Sequence, residues 1–254
     1  MDKQLQGITP VPFDIGKLET TAPSGKFSEA FIIEPRDLVP FETAWEWQKH
    51  WQKSLLEHSY LPQAIWLLQH PDCYTLGRGA NEINLHFSPK NPPSDLYRID
   101  RGGEVTHHLP GQLVVYLVMD LRRYKTDLDW YLRQLEEVVI EVLNELGLLG
   151  ERVNGLTGVW LNGCKVSSIG IGCRRWITQH GLALNIDCDL KGFDQIVPCG
   201  LRGTCMGSLN SWLPGLKVKD VQPLMRKCLG KRFSLKWTQQ NSLDQFEENR
   251  PIIN

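Results

Sequence analysis

The chain has almost no net charge. Its 28 Lys and Arg stand against 29 Asp and Glu over 254 residues, a formal −1. A general nucleic-acid binder would show a basic excess, so that class is set aside. Long apolar runs are missing too. The longest, Leu113 to Met119, falls far short of the ~20 residues of a membrane span. The first thirty residues hold Asp2, Asp14 and Glu19 and no apolar segment, so no secretory signal is expected. Neither a Cys-x-x-Cys pair nor a His-Glu-x-x-His is present, which leaves no support for a zinc site. Repeats and low-complexity blocks are also absent. The 41% apolar fraction with so little net charge excludes a disordered chain. The expectation is a cytoplasmic globular protein without metal, nucleic-acid or membrane partners. Its seven cysteines read as reduced thiols.

The organisation reads as one domain between two polar ends. Residues 1–28 are turn-rich and suggest an extended arm, 29–237 the folded domain, and 238–254 a polar tail. Ala30 to Ile33 suggests a first strand. Phe41, Ala44, Trp45, Gln48, Trp51 and Leu55 then fall on one helical stripe, more simply a core-packing face than a ligand platform. Short strands are expected at Ala64 to Leu68, Cys73 to Leu76 and Tyr97 to Ile99. Leu113 to Leu121 reads as a strand buried on both faces. Asp127 to Leu149 is the clearest helix, with Asp127 as N-cap. Asn162-Gly163 marks a hairpin, Gly181 to Asp187 a further strand, and Lys217 to Leu229 a last helix. Strands arrive in runs with helices between the runs, which predicts an α+β fold rather than a doubly wound sheet.

Four segments do not read as plain core: Arg78-Gly79, Asp100 to Gln112, Lys165 to Gly170, and Val197 to Gly203. Adjacent Gly102 and Gly103 let a backbone approach a ligand closely, or they make a simple tight turn. His107 and His108 are neighbours in a predicted strand, so they point to opposite faces and can hardly share one ion. Lys165 sits in a strand of Val, Ile, Gly and Ser, facing either solvent or a pocket. Cys199, between Pro198 and Gly200, is either a small buried hydrophobe or a reactive thiol. A thiol attacks as thiolate, and a nearby ammonium stabilises that form. Spacing alone does not show that Lys165 and Cys199 meet.

The set Arg101-Gly-Gly-Glu-Val-Thr-His-His108 with Pro110-Gly111-Gln112, Lys165-Val-Ser-Ser168-Ile169-Gly170, His180-Gly-Leu-Ala183-Leu-Asn185 and Pro198-Cys199-Gly200 resembles the lipoyl(octanoyl) transferase family, also called lipoate–protein ligase B. The likeness runs from about Ala64 to Leu209, in the family's order. It implies a single α+β domain with a mixed, mainly antiparallel sheet flanked by helices, similar to the catalytic domains of biotin and lipoate protein ligases. It implies a Cys199–Lys165 dyad, with Cys199 as nucleophile and Lys165 favouring the thiolate and acting as general acid and base. It also implies an acyl site lined by Arg101, Gly102, Gly103, Glu104, Val105, Thr106, His107, His108, Ser168, Ile169, Gly170, Gly181, Leu182 and Ala183. Two departures stand out. His107 replaces an aromatic and Leu109 a glycine, and both are expected to reshape one wall of the acyl pocket.

The activity the resemblance implies is transfer of an octanoyl group, through a cysteine thioester, from octanoyl-acyl carrier protein to a lysine of a lipoyl domain. The acceptors would be 2-oxoacid dehydrogenase complexes or the glycine cleavage H protein. The enzyme would act as a monomer and without a cofactor, because the acyl group arrives activated. The alternatives are an ATP-dependent lipoate or biotin-type ligase and a non-enzymatic acyl-carrier-binding protein. Against the biotin ligases, Gly77-Arg-Gly-Ala80 stops short of their arginine-rich glycine loop. Arg202 to Trp237 holds eight Lys and Arg against Asp220 alone. That run is either a solvated helix face or a docking surface for acidic carrier domains. Of the other cysteines, Cys73, Cys173, Cys188 and Cys228 read as packing residues, and Cys164 and Cys205 have no assigned role.

Overall fold

In chain order the elements are β1 (Ser28–Ile33), α1 (Phe41–Glu57), β2 (Gln63–Leu68), β3 (Cys73–Leu76), β4 (Asp95–Arg98), β5 (Val105–His108), β6 (Gln112–Val118), α2 (Leu128–Glu145), β7 (Val159–Leu161), β8 (Cys164–Arg174), β9 (Ile177–Asn185), α3 (Val218–Arg232) and β10 (Leu235–Gln239). The structure is a computed structural model, which describes residues 28–239. The strands form a seven-stranded sheet, ordered β10-β1-β2-β6-β9-β8-β7, and a three-stranded sheet, ordered β4-β3-β5. In the large sheet β1 pairs in parallel with β10 and β2, and every other pairing is antiparallel.

β2 and β6 are buried along their whole length, and their alternation explains why. Ile65, Leu67, Leu113, Val115 and Leu117 face one side, where they meet Leu135, Val138, Val139 and Val142 of α2 and Val221, Met225 and Leu229 of α3. Ala64, Trp66, Leu68, Val114, Tyr116 and Val118 face the other, where Phe41, Ala44, Trp47, Trp51 and Leu55 of α1 cover them. Covering both faces turns the usual alternation into a continuous apolar run.

Asp127 caps α2 as expected, accepting from Trp130 N at 2.9 Å. The buried face of α1 keeps the expected stripe except Trp45, which is only partly buried, and adds Trp47, Gln52 and Ser54. Gly163 follows Asn162 in the β7–β8 turn, both at positive φ (79° and 48°), as such a turn requires. β10 extends through Thr238 to Gln239 because β1 offers it a parallel edge. The expected arm, except Ser28, and the rest of the tail lie outside the described residues. Among the described residues no helix is long and apolar enough to cross a membrane.

Candidate functional site

β8 carries the singled-out Lys165–Gly170 segment and β9 the His180–Asn185 motif, and their register brings the two together. Ser168 lies opposite Ala183, Ile169 opposite Leu182 and Gly170 opposite Gly181. A third segment arrives over this surface, with Gly102 N donating to Ile171 O at 2.8 Å. The close approach needs glycine, since a β-carbon on Gly170 would lie 3.1 Å from both Arg101 Cδ and Gly102 O. Between the two sheets these segments enclose a cavity of about 210 Å3. Arg101, Gly103, Glu104, Val105, Thr106, His108, Ser168, Ile169, Gly170, Gly181, Leu182 and Ala183 all line it, together with Lys165 and Cys199.

Gly102 and His107 do not line it. His107 points away from its neighbour, as strand alternation requires. It stacks on Tyr74 (4.4 Å between centroids) and meets Phe193 edge-on (5.5 Å). Leu109 joins that same small core. The two departures therefore leave the cavity wall untouched, because the pleat turns both residues out of it.

Lys165 faces inward, 2% exposed. Its Nζ donates to Thr157 O at 3.0 Å and to Cys199 Sγ at 3.2 Å, and lies 4.9 Å from the Trp160 ring centroid. Cys199 is half-buried in a tight turn over Pro198–Gly200, at φ 56°. A non-glycine residue in that left-handed region costs about 1–2 kcal/mol. The turn is held from both sides. Val197 N donates to Asn84 O at 2.8 Å, and Asn84 Nδ2 donates to Glu104 Oε2 at 3.0 Å. On the far side the loop pairs with the start of β8. Lys165 N donates to Cys205 O at 2.7 Å and Gly207 N to Lys165 O at 2.9 Å.

Beside that pairing Cys164 and Cys205 form a disulfide. The expectation of seven reduced thiols is corrected there: the parallel bridge between Lys165 and Met206 brings the two sulfurs into bonding range. Cys199 remains free, as do Cys73, Cys173, Cys188 and Cys228. Burial pushes the Cys73 thiol up to about 12, and the Cys188 and Cys228 thiols up to about 11, as suits packing residues.

Several groups that shape the cavity were not singled out in the sequence: Phe41, Ile99, Val114 and Tyr116. Each had been read as core or left unmarked, and periodicity does not distinguish a core wall from a cavity wall. A cluster of buried, neutral rings stands at and behind this part of the wall. His70 Nδ1 faces Val39 O (2.5 Å) and its Nε2 faces Tyr116 Oη (2.8 Å), so Nδ1–H donates and the phenol donates to Nε2. Burial lowers His70 to about 4. Burial also lowers His108, which donates from Nδ1 to Gln112 Oε1 at 2.8 Å. His180 is likewise lowered by burial and donates to the ionised Asp100 at 3.0 Å. Arg101 adds a buried positive charge to the wall. Its guanidinium donates to Thr75 O, Thr75 Oγ1 and Gly102 O at 2.8–3.0 Å, and burial lowers its affinity for the proton. Arg78 stays exposed and outside the cavity, although its N–H donates to Arg101 O.

The basic C-terminal stretch is largely paired within the molecule. Lys217 meets Asp187, Arg226 Glu34, Lys227 Glu145, Lys231 and Arg232 Glu141, and Lys236 Glu29. The solvated, locally neutralised face is what the structure presents.

The site combines a free thiol, an ammonium in contact with it, and a largely apolar cavity. That set can accept an acyl chain and hold its carbonyl carbon at the sulfur. Residues 42–230 match the model of the lipoyl protein ligase A/B catalytic domain. A protein named octanoyltransferase from Prochlorococcus marinus (strain MIT 9313) is 64% identical over 227 residues, covering 89% of this chain and 93% of its own. One of the same name from Synechococcus sp. (strain WH7803) is 61% identical over 230 residues, covering 89% and 94%. Among solved structures, a lipoate-protein ligase A bound with ATP superposes with a TM-score of 0.68 at 14% identity, covering 88% of this chain and 92% of that one. A putative lipoate protein ligase from T. acidophilum with bound lipoic acid gives 0.64 at 12%, with the same coverage. These two likenesses concern the fold.

Proposed function

The chain belongs to the lipoyl protein ligase A/B catalytic-domain family, and from that premise we propose that it is an acyltransferase that moves an octanoyl group onto the lysine of a lipoyl domain. The observation that carries this reading is the 3.2 Å contact between Lys165 Nζ and the free Cys199 thiol in the wall of a largely apolar cavity. The donor is octanoyl-acyl carrier protein. The acceptors are lipoyl domains of 2-oxoacid dehydrogenase complexes or the glycine cleavage H protein. The enzyme works as a cytoplasmic monomer.

The reaction has two steps. Cys199 thiolate attacks the thioester carbonyl. The new carbon–sulfur bond forms, the carrier's carbon–sulfur bond breaks, and the Lys165 ammonium protonates the departing carrier thiolate. The acceptor's amine then attacks the octanoyl-Cys199 thioester. The amide bond forms, Cys199 leaves as thiolate, and neutral Lys165 takes the amine's proton, which restores the resting pair. Thioester exchange is nearly neutral in energy, and amide formation draws the sequence forward. The six methylenes and the methyl of the chain contribute roughly 6 kcal/mol when buried, at about 0.8 kcal/mol each. Arg101 and the Ser168 hydroxyl, which lies 3.9 Å from the sulfur, line the cavity and would supply positive charge and a donor to the oxyanion.

The test is an intact mass after incubation with octanoyl carrier and no ATP. An octanoyl-sized gain is expected in the parent and lost in Cys199→Ala. A gain that survives the substitution removes Cys199 as the nucleophile. A gain that appears only with ATP favours the ligase reading.

A further inference from the structure

α2 carries a charge on its core side. Glu136 is 0% exposed, among Leu135, Val138 and Val139. A buried carboxylate is costly unless fully partnered. Its Oε2 accepts from Arg133 Nη1 at 2.7 Å and Arg152 Nε at 2.9 Å. Its Oε1 accepts from the backbone N–H of Gly158 at 3.0 Å.

That last bond reaches the reaction centre. The N–H of Gly158 and the C=O of Thr157 belong to one peptide unit. The unit is trans, so the two groups point in opposite directions. The carbonyl end accepts from Lys165 Nζ at 3.0 Å, and the same Nζ donates to Cys199 Sγ at 3.2 Å. Carboxylate, peptide plane, ammonium and thiol thus lie in one chain of contacts. With the carboxylate on its N–H, the peptide is fixed in rotation and its carbonyl is polarised toward the ammonium. Gly158 has φ +136°, so the intrinsic preferences of L-residues do not select this orientation. Something else must hold it, and Glu136 is the group in contact.

We propose that Glu136 is a positioning residue for acyl transfer: it orients the Thr157–Gly158 peptide, which holds the Lys165 ammonium against Cys199. The proposal rests on the reading that Lys165 and Cys199 act as a pair.

The test uses the full chain with Glu136→Ala, Glu136→Gln, Lys165→Ala and the double variant Glu136→Ala/Lys165→Ala. Single-turnover acylation by octanoyl carrier and the pH profile of Cys199 alkylation by iodoacetamide are measured on each. Glu136→Ala is expected to slow acylation about tenfold to a hundredfold, the scale of a misplaced catalytic group. Its alkylation profile should move toward that of Lys165→Ala. Glu136→Gln, which keeps an acceptor for Gly158 N–H, should recover most of the rate. Because Glu136 acts through Lys165, the double variant should be no slower than Lys165→Ala alone. An unchanged profile in Glu136→Ala beside an impaired Lys165→Ala overturns the clamp while sparing the pair. So does a double variant slowed by the product of the two effects. Unchanged rates in Lys165→Ala remove the pair and the clamp with it. If Glu136→Ala does not fold, Glu136→Asp, which draws the carboxylate back by one methylene, takes its place with the same expectations.

Discussion

Gly158 leaves no room for a side chain beside the stem of Lys165: a β-carbon built on it would lie 2.7 Å from Lys165 Cε and 2.6 Å from Ser167 O. The lysine reaches the thiol only because residue 158 ends at its α-carbon. Gly158→Ala should therefore act on the site and on stability together. The positive φ alone costs about 1–3 kcal/mol, and the steric conflict displaces Lys165. A lower melting temperature with a loss of acylation beyond the unfolded fraction is expected. Full activity in the folded variant would show that Lys165 tolerates the displacement.

Phe41, at the first turn of α1, lines the cavity and stacks on Tyr97 (5.0 Å) and His108 (6.0 Å). Phe41→Ala should lengthen the cavity and raise the rate with decanoyl carrier relative to octanoyl carrier. Stability should fall by about 3–5 kcal/mol, with the low end favoured since one side of the ring already borders space. An unchanged ratio of the two rates would place the end of the cavity elsewhere.

Stability should fall with acid through buried imidazoles. His70 drops from 6.5 to about 4 in the fold because burial disfavours its charged form. Between those values the unfolded chain binds the proton and the folded chain does not, so stability is full above pH 6.5 and declines toward pH 4. The full loss from this one group is about 3 kcal/mol. His107, His108 and His180 are lowered in the same sense and add to the slope. Melting temperatures from pH 7 down to pH 4 measure it, and His70→Gln should flatten the curve. An equal slope in that variant would remove His70 as a contributor.

The Cys164–Cys205 bond ties the strand of Lys165 to the loop of Cys199 across a separation of 41 residues. Closing such a loop is worth about 4 kcal/mol on the chain-entropy scale. Thiol titration of the protein unfolded without reductant should count five free cysteines. After reduction the count should rise to all seven, and the native protein's melting temperature should fall. Seven thiols before reduction would show the bond absent.

The α+β order of elements and the capped helix at Asp127 were legible because local patterns carry them: runs of apolar residues, an N-cap, an Asn-Gly turn. The motifs around Arg101, Lys165, Gly181 and Cys199 were visible as chemistry in search of a meeting point. β10 was missed because a short polar strand has no signature apart from the edge it joins, here β1. Phe41 and Tyr116 were read as core, and a cavity wall has the same periodicity as a core.

The sequence by itself determined which residues are available for chemistry and which surfaces must be buried, since both follow from side-chain type and local period. Tertiary structure alone decided that a lysine 34 residues before a cysteine touches its sulfur. It also decided that His107 turns away from the cavity, that Cys164 finds Cys205, and that Glu136 reaches the peptide beside Lys165. The reason is physical. Each of these depends on strand register or on loop closure between distant segments, and such contacts form only when the whole sheet and both helix layers bury together.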